Sequence, residues 1–191
     1  KKWPWIAGHT VLIAHARVVQ LYRTKYMHYG GNKTHPGPAG KIGITNNAGW
    51  SEPKTNSVGD IAASERCMIT NLAWYSDPVY FGDYPEAMKQ ILGDRLPTFT
   101  DDEKALLKGS IDFFGLNHYG TTWVSDSDSP GFTECYGQGS SDGFKNAQSK
   151  WLFGVGWGFR KILNWIDRRY NKPDIYVTEG GWSLKADTPK D

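Results

Sequence analysis

The sequence predicts an α/β fold built around a parallel sheet. Along its 191 residues, helical and strand patterns alternate three times, which is the order that parallel strands with crossover helices produce. The three candidate strands are mostly apolar, as expected for strands covered on both faces. Each of them also ends in polar side chains, and folds of this kind bind ligands at the carboxyl ends of their strands. The sequence therefore predicts a sheet or barrel with a polar site on one rim.

Three amphipathic helices are predicted from the spacing of apolar residues. The first covers residues 9–23, and its expected apolar face consists of Val11, Ala14, Val18, Leu21 and Tyr22. The second begins at Asp60, the expected N-cap, and reaches about Tyr75. The third covers residues 157–170, and its face consists of Phe159, Ile162, Leu163, Ile166 and Tyr170.

Two shorter helices are predicted between the second and the third. One lies near residues 85–92. The other follows Thr100, because Thr100 and Glu103 have the spacing of a capping box, in which each side chain bonds the other residue's backbone N–H. This helix is expected to reach Lys108 and to end at Gly109.

Three short apolar runs are predicted as the strands. They are residues 41–45, a run within 111–120, and residues 174–178. Residues 28–40 are rich in Gly and Pro and are expected to form a loop, as are residues 46–56. Residues 125–150 are rich in Ser, Asp and Gly, which predicts a long excursion from the fold.

The composition argues against several classes of partner. A formal net charge of +2 provides no electrostatic footprint for nucleic acid or an anionic membrane. No apolar run reaches the roughly 18 residues of a spanning helix. No motif indicates a cofactor or a metal site. Cys67 and Cys135 do not form a disulfide framework, so both are expected to be ordinary thiols.

The candidate site consists of residues at the ends of the second and third strands. Asn117 and Tyr119 are two residues apart and are expected to share a face of their strand. Glu179 ends the third strand, before Gly180 and Gly181, which allow a turn without a crowding side chain. A tyrosine hydroxyl can donate to a carboxylate and keep it ionised. Such a carboxylate suits a nucleophile or an electrostatic stabiliser.

The stretch IYVTEGGWS, residues 175–183, resembles the Ile/Tyr-x-Thr-Glu-Asn-Gly signature of glycoside hydrolase family 1, the β-glucosidase family. Five blocks in the family's order extend the resemblance over nearly the whole chain. They are residues 8–23, 40–45, 76–89, 95–119 and 157–179.

The resemblance implies a (β/α)₈ barrel, of which residues 1–191 supply strands five to seven as a single domain that is incomplete at both ends. It implies a retaining glycosidase that removes terminal β-D-glucosyl or related residues through a covalent glycosyl-enzyme intermediate. By position, Glu179 matches the nucleophile. Tyr119 matches the tyrosine that hydrogen-bonds it, and Asn117 lies near the sugar site. The substrate is then a β-glucoside or oligosaccharide, and no cofactor is implied.

Two departures from the family's pattern shape the expectation. Gly180 replaces the usual Asn after the nucleophile. The Thr-x-Asn-Glu-Pro motif that carries the acid/base is not in this sequence, whose only Glu-Pro is Glu52-Pro53 after Trp50-Ser51. Without general-acid help worth roughly 10²–10⁴-fold, the isolated chain is expected to be inactive or nearly so.

Other interpretations stay open at this point. The chain can belong to an acid-less family relative that acts on activated glycosides, as a myrosinase does. It can also belong to a non-catalytic glycan-binding or interaction protein on the same fold. The open edges of a partial barrel predict a partner, either the remainder of the barrel as a second chain or a second copy of this one. The compartment is left open between cytoplasmic and secreted.

Overall fold

The computed structural model of the chain describes residues 2–27, 40–127, 138–139 and 144–184. Its α-helices are α1 (Trp3–Leu21), α2 (Val58–Met68), α3 (Trp74–Phe81), α4 (Glu86–Leu92), α5 (Asp101–Leu107) and α6 (Gly156–Arg169). Its strands are β1 (Ile44–Asn47), β2 (Trp50–Pro53), β3 (Phe114–Asn117), β4 (Thr121–Val124), β5 (Gln138–Gly139) and β6 (Ile175–Glu179). A π-helical turn extends α1 over Tyr22–Tyr26, and another joins α2 to α3 over Ile69–Ala73.

The strands form two three-stranded sheets. One has the order β1-β3-β6 and the other β2-β4-β5. In the first sheet, the N–H of Phe114 donates to the Asp174 carbonyl and that of His118 to the Glu179 carbonyl. From the first bond to the second, β3 and β6 run in the same direction, so these two strands are parallel. In the second sheet β2 is parallel and β5 antiparallel to β4.

The chain divides into two compact units. The first comprises Lys1–Asn46, Leu72–Gly115 and Asp174–Tyr176, and the second comprises Asn47–Asn71, Leu116–Pro173 and Val177–Asp191. The carboxyl ends of β1, β3 and β6 all fall in the second unit. The residues of the candidate site therefore belong to one unit.

Helix α1 differs from its prediction in both length and orientation. It begins at Trp3, six residues earlier than expected, with Pro4 in its first turn, where the missing proline N–H costs nothing. It packs against α3 and α5 in the first unit. Its buried apolar residues include Leu12, Ile13, Ala16 and Val19. The predicted face is wrong, because Val11, Val18 and Leu21 are 50%, 56% and 44% exposed.

The helix caps are partly as predicted. Thr100 and Glu103 form the expected capping box, with the Thr100 N–H donating to Glu103 Oε2 over 2.8 Å. Asp60 is not the N-cap of α2. Ser57 is the N-cap, and its hydroxyl accepts from the Asp60 N–H. The short helix near residues 85–92 is confirmed by α4.

The strands are shifted or added relative to the sequence prediction. The first strand begins at Ile44 rather than residue 41, and β2 occupies part of the segment 46–56 that was expected to be a loop. Strand β4 lies at Thr121–Val124, for which no element was predicted. Strand β6 was expected to be buried, yet Tyr176 and Val177 are about half exposed. This strand is at the edge of its sheet, so among the described residues it has a neighbouring strand on one side only, which leaves its side chains more exposed. Residues 28–39 of the loop predicted over 28–40 lie outside the described residues, as does more than half of the excursion predicted over 125–150.

The cysteine prediction is wrong for Cys67. This residue is fully buried against Ala63 and Val124, and it is disulfide-bonded. Cys135 lies outside the described residues. Within the described part of the chain, the helices are too short or too polar to span a membrane.

Candidate active site

Backbone hydrogen bonds hold the ends of β1, β3 and β6 side by side in the second unit. The Ala48 N–H, one residue past β1, donates to the Asn117 carbonyl over 3.0 Å. The His118 N–H, one residue past β3, donates to the Glu179 carbonyl over 3.0 Å. The parallel order therefore brings residues about 60 positions apart in sequence to one rim.

Tyr119 and Glu179 are in direct contact on this rim. The Tyr119 hydroxyl donates to Glu179 Oε2 over 3.0 Å. The negative carboxylate stabilises the protonated phenol, so this hydrogen bond raises the pKa of Tyr119. Among the described residues, no donor contacts the second oxygen, Oε1. One carboxylate oxygen is thus fixed by Tyr119, and the other has no donor within the described part of the chain.

Asn117 is oriented by the same edge strand. The Thr178 hydroxyl donates to Asn117 Oδ1 over 2.7 Å. Because the amide oxygen already accepts from Thr178, the amide NH₂ is the group that Asn117 can offer to a ligand hydroxyl. Asn117 and Tyr119 both contact β6, as their two-residue spacing predicts.

His118, between these two residues, faces the other way. Its ring stacks on Phe159 of α6, with centroids 5.0 Å apart and planes 17° from parallel. Its Nδ1 is 3.0 Å from the Ala48 carbonyl oxygen, which can only accept, so Nδ1 carries a proton and donates. Burial lowers the pKa of His118, which keeps the imidazole neutral near pH 7.

Two cavities of about 270 Å³ each open beside Tyr119. The first is lined by His118, Phe159 and the Gly180–Trp182 turn, among others. The second is lined by Asn47, Gly49, Thr122 and Trp151. Trp151 is 66% exposed and its ring meets Tyr119 edge-on, with centroids 6.1 Å apart. The sequence prediction missed Trp151, since nothing distinguishes it from the other eight tryptophans.

The turn after Glu179 is less crowded than its two glycines suggest. A Cβ at Gly180 would lie 3.4 Å from the His118 carbonyl oxygen, and one at Gly181 would lie 4.0 Å from the Tyr119 ring. Both are ordinary van der Waals distances. The glycines therefore leave open space beside the carboxylate rather than relieve a clash.

The only Glu-Pro pair of the sequence is held elsewhere in the second unit. Both oxygens of Glu52 contact the Lys161 ammonium, at 2.6 and 2.8 Å. Oε2 also accepts from the Trp50 indole N–H. A carboxylate that is saturated in this way is unsuited to acid/base work. Across the described ranges, no three His, Cys, Asp or Glu side chains are grouped to hold a metal ion.

Comparison with known proteins gives the context for this geometry. The family model described as Glycosyl hydrolase family 1 matches residues 1–190. The chain is 41% identical to Beta-glucosidase 1B of Phanerodontia chrysosporium, over 98% of this chain and 34% of that protein. It is similar to the crystal structure of a β-glucosidase from Humicola insolens in complex with glucose, with a TM-score of 0.79 and 40% identity. The match covers 97% of this chain and 40% of that one. The structure of an aphid myrosinase gives a TM-score of 0.80 at 31% identity, over 93% of this chain and 40% of that one.

The chain belongs to glycosyl hydrolase family 1 and carries part of the family's (β/α)₈ barrel. The predicted family and fold class are confirmed. The chain spans about two fifths or less of the length of these relatives. The roles of Glu179, Tyr119 and Asn117, and the single domain over residues 1–191, stay predictions.

Proposed function

We propose that this chain supplies the nucleophile side of a retaining β-glucosidase active site. The observation that carries the proposal is the 3.0 Å hydrogen bond from Tyr119 to one oxygen of Glu179, at the carboxyl ends of neighbouring barrel strands. The relatives named as β-glucosidases support a β-D-glucosyl group, or a closely related glycosyl group, as the part of the substrate that is transferred.

In this mechanism Glu179 attacks the anomeric carbon through its free oxygen, Oε1. A glycosidic C–O bond breaks as the ester to Glu179 forms, and water later hydrolyses that ester with overall retention of configuration. Tyr119 holds the carboxylate turned toward the sugar through its hydrogen bond to Oε2. Asn117, oriented by Thr178, donates from its NH₂ to a sugar hydroxyl. A second carboxyl group about 5–5.5 Å from Glu179 is needed as acid/base, and the rest of the protein would have to supply it.

Covalent trapping tests this assignment independently of the acid/base. A 2-deoxy-2-fluoro-β-D-glucoside with a dinitrophenyl leaving group needs no proton donor for the first step and forms a slowly hydrolysed ester. Mass spectrometry of digested protein that carries this chain should find the label on the peptide containing Glu179. A label on the peptide of Glu52, or no label while the protein turns over β-glucosides, would refute the assignment. A matched α-glucoside serves as the control reagent.

We also propose that the partner of this chain is the remainder of the barrel. The support is the outer face of α1, where Trp3, Ile6, Val11, Val18 and Leu21 are 42–78% exposed. An apolar stripe of this length on one helix is typical of a covered surface. Barrels of this kind need about 250 residues, and the relatives are more than twice as long as this chain.

Co-expression tests the partner proposal. The 191-residue chain is produced with the part of Beta-glucosidase 1B that precedes the matched region. We expect the two to co-purify, and Val11→Glu with Val18→Glu to abolish co-purification. Glutamate at Ala62 and Ala105, which are exposed on α2 and α5 rather than on the α1 stripe, is the matched control. Self-association of the chain that excludes the second polypeptide would instead identify a second copy as the occupant.

We propose further that the protein works in an oxidising compartment. The disulfide at Cys67 supports this, because disulfides persist in secreted proteins and are rare in the cytosol. Alkylation of the protein isolated from its source should label no thiol until a reductant is added. Free Cys67 in that material would favour a cytosolic location.

A further inference from the structure

We infer that His118 is a positioning residue for the Tyr119–Glu179 pair, because its backbone and imidazole together fix the ends of all three strands that form the rim. The inference rests on the proposed function of Glu179. It concerns a residue that does not face the candidate site and to which the sequence prediction gave no role.

The contacts of His118 reach both neighbouring strands. Its N–H donates to the carbonyl of Glu179 itself over 3.0 Å. Its Nδ1 donates to the Ala48 carbonyl over 3.0 Å. Ala48 in turn donates its N–H to the Asn117 carbonyl over 3.0 Å. The segment Asn117–Tyr119 is thus held from both sides in the short gap between β3 and β4, before the Trp50 N–H bonds the Gly120 carbonyl and pairing resumes.

The imidazole contact matters because it is directional and buried. His118 is only 9% exposed, and its ring is held against Phe159 by the 17° stack. A ring in that position has one way to present Nδ1 to Ala48. A buried carbonyl without a donor is costly, so loss of the N–H is expected to move the Ala48 segment and the Tyr119 segment bonded next to it.

This movement would displace the side chain of Tyr119 first. It follows His118 directly, and its hydroxyl contacts Glu179 over a distance of 3.0 Å that leaves little tolerance. A Cβ at Gly180 would lie 3.4 Å from the His118 carbonyl oxygen, an ordinary van der Waals distance, so tight packing of the turn after Glu179 is not what locks the pair. The constraint is provided by His118 instead.

Two substitutions separate the donor from the ring. His118→Phe keeps a ring that can stack on Phe159 but removes the Nδ1 donor. His118→Asn keeps an N–H donor at nearly the place of Nδ1 but removes the ring. The measurement is the ionisation of Tyr119 in the protein that carries this chain, followed by NMR of ¹³Cζ-labelled tyrosine and assigned with Tyr119→Phe.

The contact with Glu179 raises the pKa of Tyr119, and Glu179→Ala gives the value without that contact, because alanine leaves no acceptor for the hydroxyl. We expect His118→Phe to titrate as Glu179→Ala does, and His118→Asn to titrate as the unmodified protein. The inference would be overturned if the pKa of Tyr119 in folded His118→Phe equalled that of the unmodified protein. It would also be overturned if the pKa of Tyr119 fell in His118→Asn. If His118→Phe does not fold, His118→Leu, which also lacks the donor, takes its place, and the pKa of Tyr119 should again fall to the value in Glu179→Ala. The titration needs no turnover, so its failure is distinct from failure of the proposed function.

Discussion

Two glutamates of the second unit differ in their surroundings, and the comparison distinguishes a structural carboxylate from the one that we propose as the nucleophile. Both accept a hydrogen bond from an aromatic side chain, Glu179 from the Tyr119 hydroxyl and Glu52 from the Trp50 indole. Glu52 is also bound on both oxygens by Lys161, and its side chain is 13% exposed. Glu179 lies exposed on the rim with one oxygen that no described residue contacts.

The two carboxylates differ in whether an oxygen remains that can contact a substrate. An ion-paired carboxylate with all its partners in place stabilises the fold and has nothing left to offer a substrate. A carboxylate held by a single donor keeps its charge and its orientation, and can still attack an electrophilic carbon. The same residue type therefore has two roles, and the hydrogen-bond partners distinguish them.

The largest expected effect is the loss of turnover when the charge of Glu179 is removed. Glu179→Gln should lower kcat for an aryl β-glucoside on the order of 10⁴-fold or more, as loss of an enzyme nucleophile does. Glu52→Gln, the matched substitution, should change kcat by less than about threefold, since its effect is on packing. The measurement is steady-state turnover by the protein that carries this chain. Equal losses in the two variants would remove the distinction drawn between them.

A smaller effect is expected from the donor to Glu179. Tyr119→Phe deletes one hydroxyl and keeps the ring, so kcat should fall about tenfold through loss of a charge-assisted hydrogen bond. Because the Glu179 carboxylate remains, the trapped glycosyl ester should still form on it. The control is Tyr176→Phe, which removes a hydroxyl from β6 at a half-exposed side chain. A loss as large as that of Glu179→Gln would mean that Tyr119 itself takes part in the chemistry.

The partner of Glu52 should affect stability instead of turnover. Lys161→Met removes the ammonium from Glu52 and from the Trp157 ring, whose centroid lies 5.1 Å away. The free energy of unfolding should fall by about 1–3 kcal/mol, because a largely buried carboxylate loses its counter-charge. Lys150→Met, at an exposed lysine, should be neutral within about 0.5 kcal/mol. Urea unfolding of the two variants checks this, and an unchanged midpoint for Lys161→Met would contradict it.

The sequence predicted the candidate pair better than it predicted the packing around it. Glu179 and Tyr119 were found because strand ends are readable from short apolar runs, and parallel strands bring their ends together. Trp151 and His118 were not given a role, since their importance depends on which ring lies beside which. That information comes from tertiary contacts that sequence spacing does not contain.

Helices α6 and α1 show the same limit. In α6 a single apolar face was predicted, and Ile162, Ile166 and Tyr170 on it are buried. In α1 apolar residues occur on two faces, and periodicity cannot tell which of them this chain covers. The predicted face, with Val11 and Val18, is the one left exposed. Strand β2 was missed for a related reason, because its sequence WSEP contains a proline and little apolar character.

The smallest expected effect concerns His118, which adjoins Tyr119 in sequence but faces the interior. Burial lowers its pKa from the ordinary value of 6.5, so the unfolded chain takes up the proton first as the pH falls. Its contribution to stability is complete above about pH 6.5 and is lost as the pH drops toward the folded value, by up to about 1.4 kcal/mol per pH unit. Burial shifts the pKa of His9 and His15 in the same direction.

Urea unfolding at pH 7.5, 6.5 and 5.5 should therefore give a free energy that declines over the last interval, before most carboxylates titrate. His118→Phe should start lower at pH 7.5, because the Ala48 carbonyl loses its donor, yet decline less steeply, because one titrating group is gone. Glu179→Gln is the control, since an exposed carboxylate leaves the histidine slope unchanged. A His118→Phe slope equal to that of the unmodified chain would show that the imidazole titrates alike in the folded and unfolded states, and that its burial has no energetic consequence.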